Sequence, residues 1–321
     1  MTDSSGSRAV AGRVVRGLSA ITLLALLVTA CGTGSDDPDA GKAPATPSPS
    51  SASPSASASV SPSASPTPPR GTPSPRLPHL SGRPVIGTAP PPWLGTRVLP
   101  EQANGYGAVR KTPPQLVQRR FTLPDRLPAL PGAGFASRVT TPAPASVIAR
   151  STWTRGCPVA ADDLSWLRLA FRGFDHRRHT GELLVNASAA DDLVAVFRDL
   201  YRARFPIEEM RITRKAELTA PPTGDGNNTG AFACRATTGG TSYSQHAYGL
   251  AVDVNPFQNP YTRGELVLPE LASSYLDRGW VRPGMITPDG PVVQAFAAIG
   301  WGWGGSWSSL KDFQHFSANG R

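Results

Sequence analysis

The chain has 321 residues, of which 39% are hydrophobic, and its formal net charge is +9. That length allows one or two domains. The charge is unevenly placed, because residues 1–149 carry 14 Lys and Arg against 6 Asp and Glu, whereas residues 150–321 carry 18 against 17. Nucleic-acid binding requires a basic face on the folded part, so the nearly neutral second half argues against a nucleic-acid partner.

The first 31 residues have the features of a secretory signal. Three arginines precede an apolar stretch from Leu18 to Val28, and small residues lead to Cys31. The apolar stretch is too short for a comfortable membrane span. Because the cleavage site ends in cysteine, it resembles a bacterial lipobox, which implies that Cys31 is lipidated; an ordinary signal peptide with a chance cysteine is the alternative. We therefore expect an extracytoplasmic protein, lipid-anchored to the outer face of the bacterial cytoplasmic membrane and facing the cell wall.

Two proline-rich segments follow the signal. Residues 32–78 contain almost no large apolar side chains and are rich in Pro, Ser and Ala. Such a chain cannot bury enough surface to offset its ordering entropy, so we expect a disordered tether. Residues 79–149 remain proline-rich but gain large apolar residues, which predicts an extended arm with little regular structure. Whether this arm packs on the following domain, residues 150–321, is left open.

The cysteines suggest one disulfide. Once Cys31 is assigned to the lipid, Cys157 and Cys234 remain. Outside the cytoplasm two remaining thiols commonly pair, and we expect that they do so here. A two-thiolate metal site is the less favoured alternative, because neither cysteine is part of a C-x-x-C pattern.

The second half mixes strands and helices without a steady βαβ rhythm, which favours an α+β fold. A strand over Gly181–Ala187 precedes a helix that starts with Ser188 as its N-cap and ends before Pro206. A second strand is predicted over Ile207–Lys215. Further elements are strands over Ala231–Arg235 and Leu250–Val254 and a helix over Pro291–Ile299.

The chemistry begins with Asp253, which interrupts the apolar run Leu250–Val254. A carboxylate there is costly to bury unless a cation holds it. His246 precedes the same strand, and histidine and aspartate are ligands that zinc accepts. The pair alone is weak evidence, so a third ligand is required.

His315 is the expected third ligand. His79 lies in the proline-rich region, and His176 and His179 lie in an Arg-rich loop, where a solvated or hydrogen-bonded role is expected. A catalytic zinc site needs three protein ligands, an open position for water and a nearby base. Asp312, three residues before His315, is the candidate base; orienting His315 from outside the coordination sphere is its alternative role.

These residues form a pattern found in a known family. The elements of the pattern are Ser244-x-His246-x-x-Gly249-x-Ala251-x-Asp253, Trp-Gly-Gly at 303–305 with Trp307, and Asp312-x-x-His315-Phe316. The pattern resembles the zinc D-alanyl-D-alanine carboxypeptidases, whose relatives include vancomycin-resistance-type D,D-peptidases, endolysins that cut L-alanyl-D-glutamate, and the hedgehog fold. Many relatives differ from this chain at Gln314 and Ser317, which affects details of the pocket.

The resemblance covers residues 150–321 and implies an α+β fold in which a small antiparallel sheet, flanked by helices, carries Zn²⁺. It implies zinc ligation by His246, Asp253 and His315 and general acid/base catalysis by Asp312. An arginine upstream of the first ligand holds substrate in the family, and Arg235 is the best match. Ser244 and Trp307 are further candidates for substrate binding, although a polar turn residue and a packed core side chain are their alternatives.

The expected function is therefore hydrolysis of peptidoglycan stem peptides by a monomeric, membrane-anchored zinc peptidase, in the first place a D-alanyl-D-alanine carboxypeptidase. The sequence does not separate this activity from an L-alanyl-D-glutamate peptidase or an L,D-peptidase of the same fold. A non-catalytic, zinc-containing lipoprotein that binds the cell wall is the alternative from another class.

Overall fold

The computed structural model describes residues 86–321. The predicted signal, Cys31, the tether over 32–78 and the start of the arm lie outside the described residues. The helices are α1 (Pro114–Val117), α2 (Ala145–Ala149), α3 (Ala190–Arg202) and α4 (Pro291–Ala298). The strands are β1 (Ser137–Thr140), β2 (Leu164–Arg172), β3 (Arg178–Asn186), β4 (Glu209–Met210), β5 (Asn228–Thr229), β6 (Ala251–Asp253), β7 (Tyr261–Arg263), β8 (Leu266–Leu268), β9 (Gly302–Trp303), β10 (Lys311–Asp312) and β11 (His315–Ser317).

The scaffold is the antiparallel sheet β1–β2–β3 with helix α3 packed against it. Apolar side chains of α3 recur on one helical face, as Leu193, Phe197 and Leu200 illustrate, and they are buried in the same core as Leu167 and Leu183 of the sheet. A helix with one apolar stripe gains most of its stability from such packing. The apolar side chains between this sheet and α3 therefore belong to the main core.

Two smaller antiparallel sheets carry the candidate site. One has the strand order β6–β11–β9 and the other the order β10–β7–β8. Strands β10 and β11 are separated in sequence by only Phe313 and Gln314. The predicted α+β class is confirmed, and the likeness to the hedgehog fold stays a prediction.

Several predicted element bounds were wrong. The helix does not start at a Ser188 cap: the side-chain oxygen of Asn186 accepts from both the backbone N–H and the hydroxyl of Ser188, and α3 begins after a 3-10 turn, at Ala190. The strand predicted over Ile207–Lys215 is limited to β4, because its only strand partner in the described part of the chain is the two-residue β5.

The segment Ala231–Arg235 is not a strand, although its backbone is held on two sides. The N–H of Phe232 donates to Leu184 O in β3, and the N–H of Ala233 donates to His246 O. Irregular backbone can therefore be fixed as firmly as a strand when its polar groups find partners. The segment continues into the disulfide between Cys157 and Cys234, which is confirmed.

The proline-rich arm packs on the rest of the fold from residue 86 onward. Leu116 and Phe121 are buried in one cluster with Phe257 and other apolar side chains from the second half of the chain. Arg119 is 2% exposed, and it donates from Nε and Nη2 to the fully buried carboxylate of Glu208 over 2.7 and 2.5 Å. This segment therefore shares a core with residues beyond 150. Within residues 86–321, no helix is both long enough and apolar enough to cross a membrane.

Candidate metal centre

A 3-10 turn over Gln245–Tyr248 positions His246. The Ser244 hydroxyl caps this turn by accepting from the N–H of His246 over 3.3 Å. Gly249 ends the turn with φ 69°, and a Cβ atom there would lie 2.5 Å from Asn186 N. The turn therefore requires glycine at this position, because another residue would be strained and would clash with β3.

Strand pairing positions the other two residues. Asp253 in β6 lies directly opposite His315 in β11. Directly opposite residues of an antiparallel pair place their side chains on the same face of the sheet, so both side chains point toward His246. We call His246, Asp253 and His315 the ligand triad. Among the described residues it is the one group of three or more His, Cys, Asp or Glu side chains that could hold a metal ion.

Three atoms of the ligand triad form a nearly equilateral triangle. The distance from His246 Nε2 to Asp253 Oδ1, from Asp253 Oδ1 to His315 Nδ1, and from His315 Nδ1 to His246 Nε2 is 3.1 Å in each case. In a tetrahedral zinc site with bonds of about 2.0–2.1 Å, neighbouring ligand atoms lie about 3.3 Å apart. The triangle therefore has the size of one face of such a site.

The hydrogen bonds on the outer side of each imidazole explain which nitrogen faces the centre. His246 Nδ1 lies 2.6 Å from Ala231 O, and His315 Nε2 lies 3.4 Å from Arg321 O. A carbonyl oxygen only accepts, so these two nitrogens carry the protons in the neutral rings. The opposite nitrogens and the Asp253 carboxylate then direct three lone pairs at one point. This donor set fits a cation.

The pKa values agree with that electrostatic picture. Burial alone would raise the pKa of Asp253, but the charges and hydrogen bonds of the two histidines hold it well below its ordinary value. Burial alone would lower the pKa of His315, but the hydrogen bond and charge of Asp253 raise it. The metal-free triad therefore keeps an anionic carboxylate and favours a proton on His315, which a metal ion would displace.

Asp312 lies beside the triad in β10. Burial, together with the nearby charge of Asp253, raises the pKa of Asp312 to about 7. Its Oδ1 atom is buried and has no hydrogen-bond partner among the described residues. A half-buried carboxyl group with a pKa near neutrality can take up and return a proton at physiological pH.

The Trp-Gly-Gly segment makes room for Asp312. A Cβ atom on Gly304 would lie 2.6 Å from Asp312 O and 2.9 Å from its Cβ. Trp303 packs against the main core and donates from Nε1 to Phe313 O over 2.9 Å. The backbone on both sides of Asp312 is therefore fixed by close packing.

Three cavities of about 920, 720 and 310 Å³ meet at this centre. His246 lines the two larger ones, and Asp253 lines the first and the third. Asp312 lines the second and the third, whereas Arg235 lines all three. The ligand triad therefore lies at a junction of solvent-accessible spaces.

The predicted substrate residues all line this junction, and their roles stay predictions. The guanidinium of Arg235 makes no ion pair among the described residues, and its one hydrogen bond within them is donated to Ala236 O over 3.0 Å. Ser244 lines the second cavity, although its hydroxyl also caps the His246 turn. Trp307 lines the same cavity with its ring centroid 5.6 Å from that of His315, and its Nε1 donates to Gly320 O.

Tyr261 is a residue that sequence reasoning did not single out. It stands opposite Asp312 in the β10–β7 pair and lines the second and third cavities. Only the strand pairing brings it to the site, since 51 positions separate the two residues in the chain. The one feature of the sequence that points to Tyr261 as a site residue is its position directly after the turn-rich segment 255–260.

Comparison with known proteins agrees with this site. Residues 238–318 match the family model described as D-alanyl-D-alanine carboxypeptidase. The predicted resemblance is confirmed for this segment. It contains the whole ligand triad and Asp312, whereas Arg235 and the proline-rich arm lie before it. No curated protein and no solved structure matches the chain.

Proposed function

We propose that this protein is a zinc peptidase that hydrolyses stem peptides of peptidoglycan, in the first place as a D-alanyl-D-alanine carboxypeptidase. One observation carries the proposal: three ligand atoms at mutual distances of 3.1 Å lie beside the half-buried carboxyl group of Asp312, within a segment that matches this family. Three ligands and a base are the protein's share of a hydrolytic zinc site.

The chain's own residues supply the remaining functions. His246, Asp253 and His315 would hold the zinc ion, which when bound supplies an activated water and polarises the scissile carbonyl. Asp312 accepts the proton of the attacking water and returns it to the leaving amine. Arg235, which makes no ion pair within residues 86–321, offers a cation for the negative charge that develops on the substrate.

A second candidate is cleavage within the stem peptide, for example between L-alanine and D-glutamate. The observation in its favour is that His246 lines both larger cavities, of about 920 and 720 Å³, so the site has room on both sides of a scissile bond. A carboxypeptidase needs room for only one terminal residue beyond that bond. A purely binding role is less favoured, because it gives no function to the Asp312 carboxyl group, whose pKa is raised to about 7.

We also propose where the protein acts. A lipid on Cys31 would anchor the chain to the outer face of the cytoplasmic membrane, and residues 32–78 would let the folded part reach the cell wall. The enzyme would act as a monomer.

The test is to incubate the zinc-loaded protein with defined stem pentapeptides and to identify the products by mass spectrometry. Loss of one terminal D-alanine supports the carboxypeptidase, whereas fragments from an internal bond support the second candidate. Asp312→Ala is the control, and products that persist undiminished in this variant contradict the mechanism. A zinc-loaded protein that cleaves no stem peptide contradicts the proposed function.

A further inference from the structure

The side chain of Tyr261 is placed next to the proposed base by the sheet β10–β7–β8. Tyr261 and Asp312 are directly opposite in the antiparallel pair of β7 and β10. Directly opposite residues have Cβ atoms about 4.5–5.5 Å apart and point to the same face. Both side chains therefore face the two cavities that they line together.

The phenol group of Tyr261 has no hydrogen-bond partner among the described residues. The residue is 5% exposed, so the ring is buried. No hydrogen bond joins its hydroxyl to any residue in the described range 86–321. The hydroxyl oxygen nevertheless has some solvent-accessible surface. It therefore reaches the cavity. By contrast, the hydroxyl of Tyr243, which lines the same second cavity, donates to Gly156 O over 2.6 Å.

The Tyr261 hydroxyl is available as a donor. Burial raises the pKa of this phenol, so the group keeps its proton at neutral pH. Because these cavities are open to solvent, water pairs with this hydroxyl in the free protein, and a bound substrate would replace that water.

We propose that Tyr261 is a further catalytic residue, which donates a hydrogen bond to the scissile carbonyl oxygen as that oxygen becomes negatively charged. The inference rests on the proposed peptidase function. The attacking water must lie within hydrogen-bond distance of the proposed base, Asp312. The water attacks the carbonyl carbon, so the carbonyl oxygen bonded to that carbon lies close to Asp312 as well. A donor directly across the strand pair from the base is therefore near the reacting atoms.

Arg235 and Tyr261 would then share the developing charge. Arg235 lines both cavities that contain Tyr261 and Asp312, and its guanidinium makes no ion pair among the described residues. A cation and a neutral donor aimed at one oxygen act most strongly in the transition state, where the charge is largest. The expected signature is thus a loss in kcat with little change in KM.

The test is Tyr261→Phe, which removes only the hydroxyl. We expect kcat on a stem peptide to fall about 100-fold, the order seen when one oxyanion donor is removed, with KM, zinc content and Tm unchanged. Tyr201→Phe, which removes a tyrosine hydroxyl that donates to Ala133 O away from the three cavities, is the matched control and should retain wild-type kcat. Wild-type kcat in Tyr261→Phe overturns the proposal. So does a raised KM at constant kcat, because the phenol would then bind another part of the substrate.

A binding measurement separates this inference from the proposed function. A phosphinate analogue of D-alanyl-D-alanine, whose tetrahedral oxygens mimic the charged carbonyl oxygen, should bind the zinc-loaded Tyr261→Phe protein at least about 10-fold more weakly than wild type. Equal affinity overturns the role of Tyr261 even if the wild type cleaves peptides. If the wild type cleaves no stem peptide but binds the analogue with this 10-fold difference, the proposed function fails, and Tyr261 is then a ligand-binding donor and not a catalytic residue. A wild type that neither cleaves nor binds contradicts both.

Discussion

The ligand triad and a second cluster, which we call the His179 cluster (Asp125, His179 and Asp175), contain the same residue types in opposite arrangements. In the triad two histidines flank one aspartate, and each histidine gives one nitrogen to a backbone carbonyl. In the His179 cluster two aspartates flank one histidine, whose Nδ1 lies 2.8 Å from Asp125 and whose Nε2 lies 3.0 Å from Asp175.

The difference shows that residue type alone does not make a metal site. Both nitrogens of His179 face carboxylates, so neither has a free lone pair for a cation once the ring is protonated. The cluster instead joins the arm to β3, since Asp125 also accepts from the N–H of Thr180 over 2.8 Å. The hydrogen-bonded role expected for His179 is confirmed. The outer partner of each imidazole thus decides between ligand and structural contact.

The largest expected effect is the loss of zinc affinity when one residue of the ligand triad is removed. Replacing His246 by Ala removes a direct ligand, so zinc affinity should fall by more than about 100-fold, the upper range for loss of partners that only orient ligands. Atomic spectroscopy after dialysis should find stoichiometric zinc in the wild type and little in the variant. His179→Ala is the matched control, and loss of zinc in that variant would contradict the contrast between the clusters.

A second prediction compares two carboxyl groups. The pKa of Asp312 is raised to about 7 by burial and by Asp253. The pKa of Asp175 is lowered, because hydrogen bonds from the Arg177 backbone and His179, with their charges, outweigh its burial. The folded-state pKa of Asp312 is raised, so its contribution to stability is fully present below the pKa of the unfolded state and is lost as pH rises through about 7. The folded-state pKa of Asp175 is lowered, so its contribution to stability is present above the pKa of the unfolded state.

The metal-free Asp312→Asn protein should therefore be more stable than metal-free wild type at pH 8, by about 1 kcal/mol or more, with a smaller difference at pH 4. Asp175→Asn should be less stable than wild type at pH 8. Denaturant unfolding in a chelator measures both. An Asp312→Asn protein that is less stable at pH 8 would contradict the electrostatic account of the site.

The smallest expected effect concerns His179 itself. Its hydrogen bond with Asp125 raises its pKa against the effect of burial, and Asp175 adds to the rise. The stabilisation by the His179 cluster is therefore fully present below about 6.5, the pKa of histidine in the unfolded state. It is lost as pH rises through the higher pKa of His179 in the folded state. The free-energy difference between wild type and His179→Gln should shrink between pH 5.5 and pH 9, while peptidase activity at pH 7 stays within about 2-fold. A difference independent of pH would indicate that the ring stays neutral.

The site was largely predictable from the sequence, and the scaffold was less so. Asp253 in an apolar strand and the Asp312-x-x-His315 spacing led to the residues that the structure brings together. The pairing of Tyr261 with Asp312 depends on strand register, which short strands in a turn-rich chain do not reveal. The sequence analysis also did not single out β2, although Leu167, Leu169 and Phe171 alternate with Arg168, Ala170 and Arg172 and are buried in the main core.

The proline-rich arm shows a second limit of sequence reasoning. Composition predicted an extended arm with little regular structure, and residues 86–149 contain α1, α2 and β1 of the main sheet. Composition could not show where scattered apolar residues such as Leu116 and Phe121 pack. Nor could it show that Arg119 reaches the buried Glu208, a contact between residues 89 positions apart. Such contacts follow from tertiary structure rather than from local pattern.

X-ray absorption spectroscopy of the zinc-loaded protein tests the central claim most directly. The ligand triad predicts one zinc per chain, bound by two imidazole nitrogens, one carboxylate oxygen and one further light atom at about 2.0–2.1 Å. The His246→Ala and His315→Ala proteins should each lose one imidazole from the spectrum or lose the metal. A spectrum with sulfur at about 2.3 Å, or with fewer than two imidazoles in the wild type, would contradict the ligand triad.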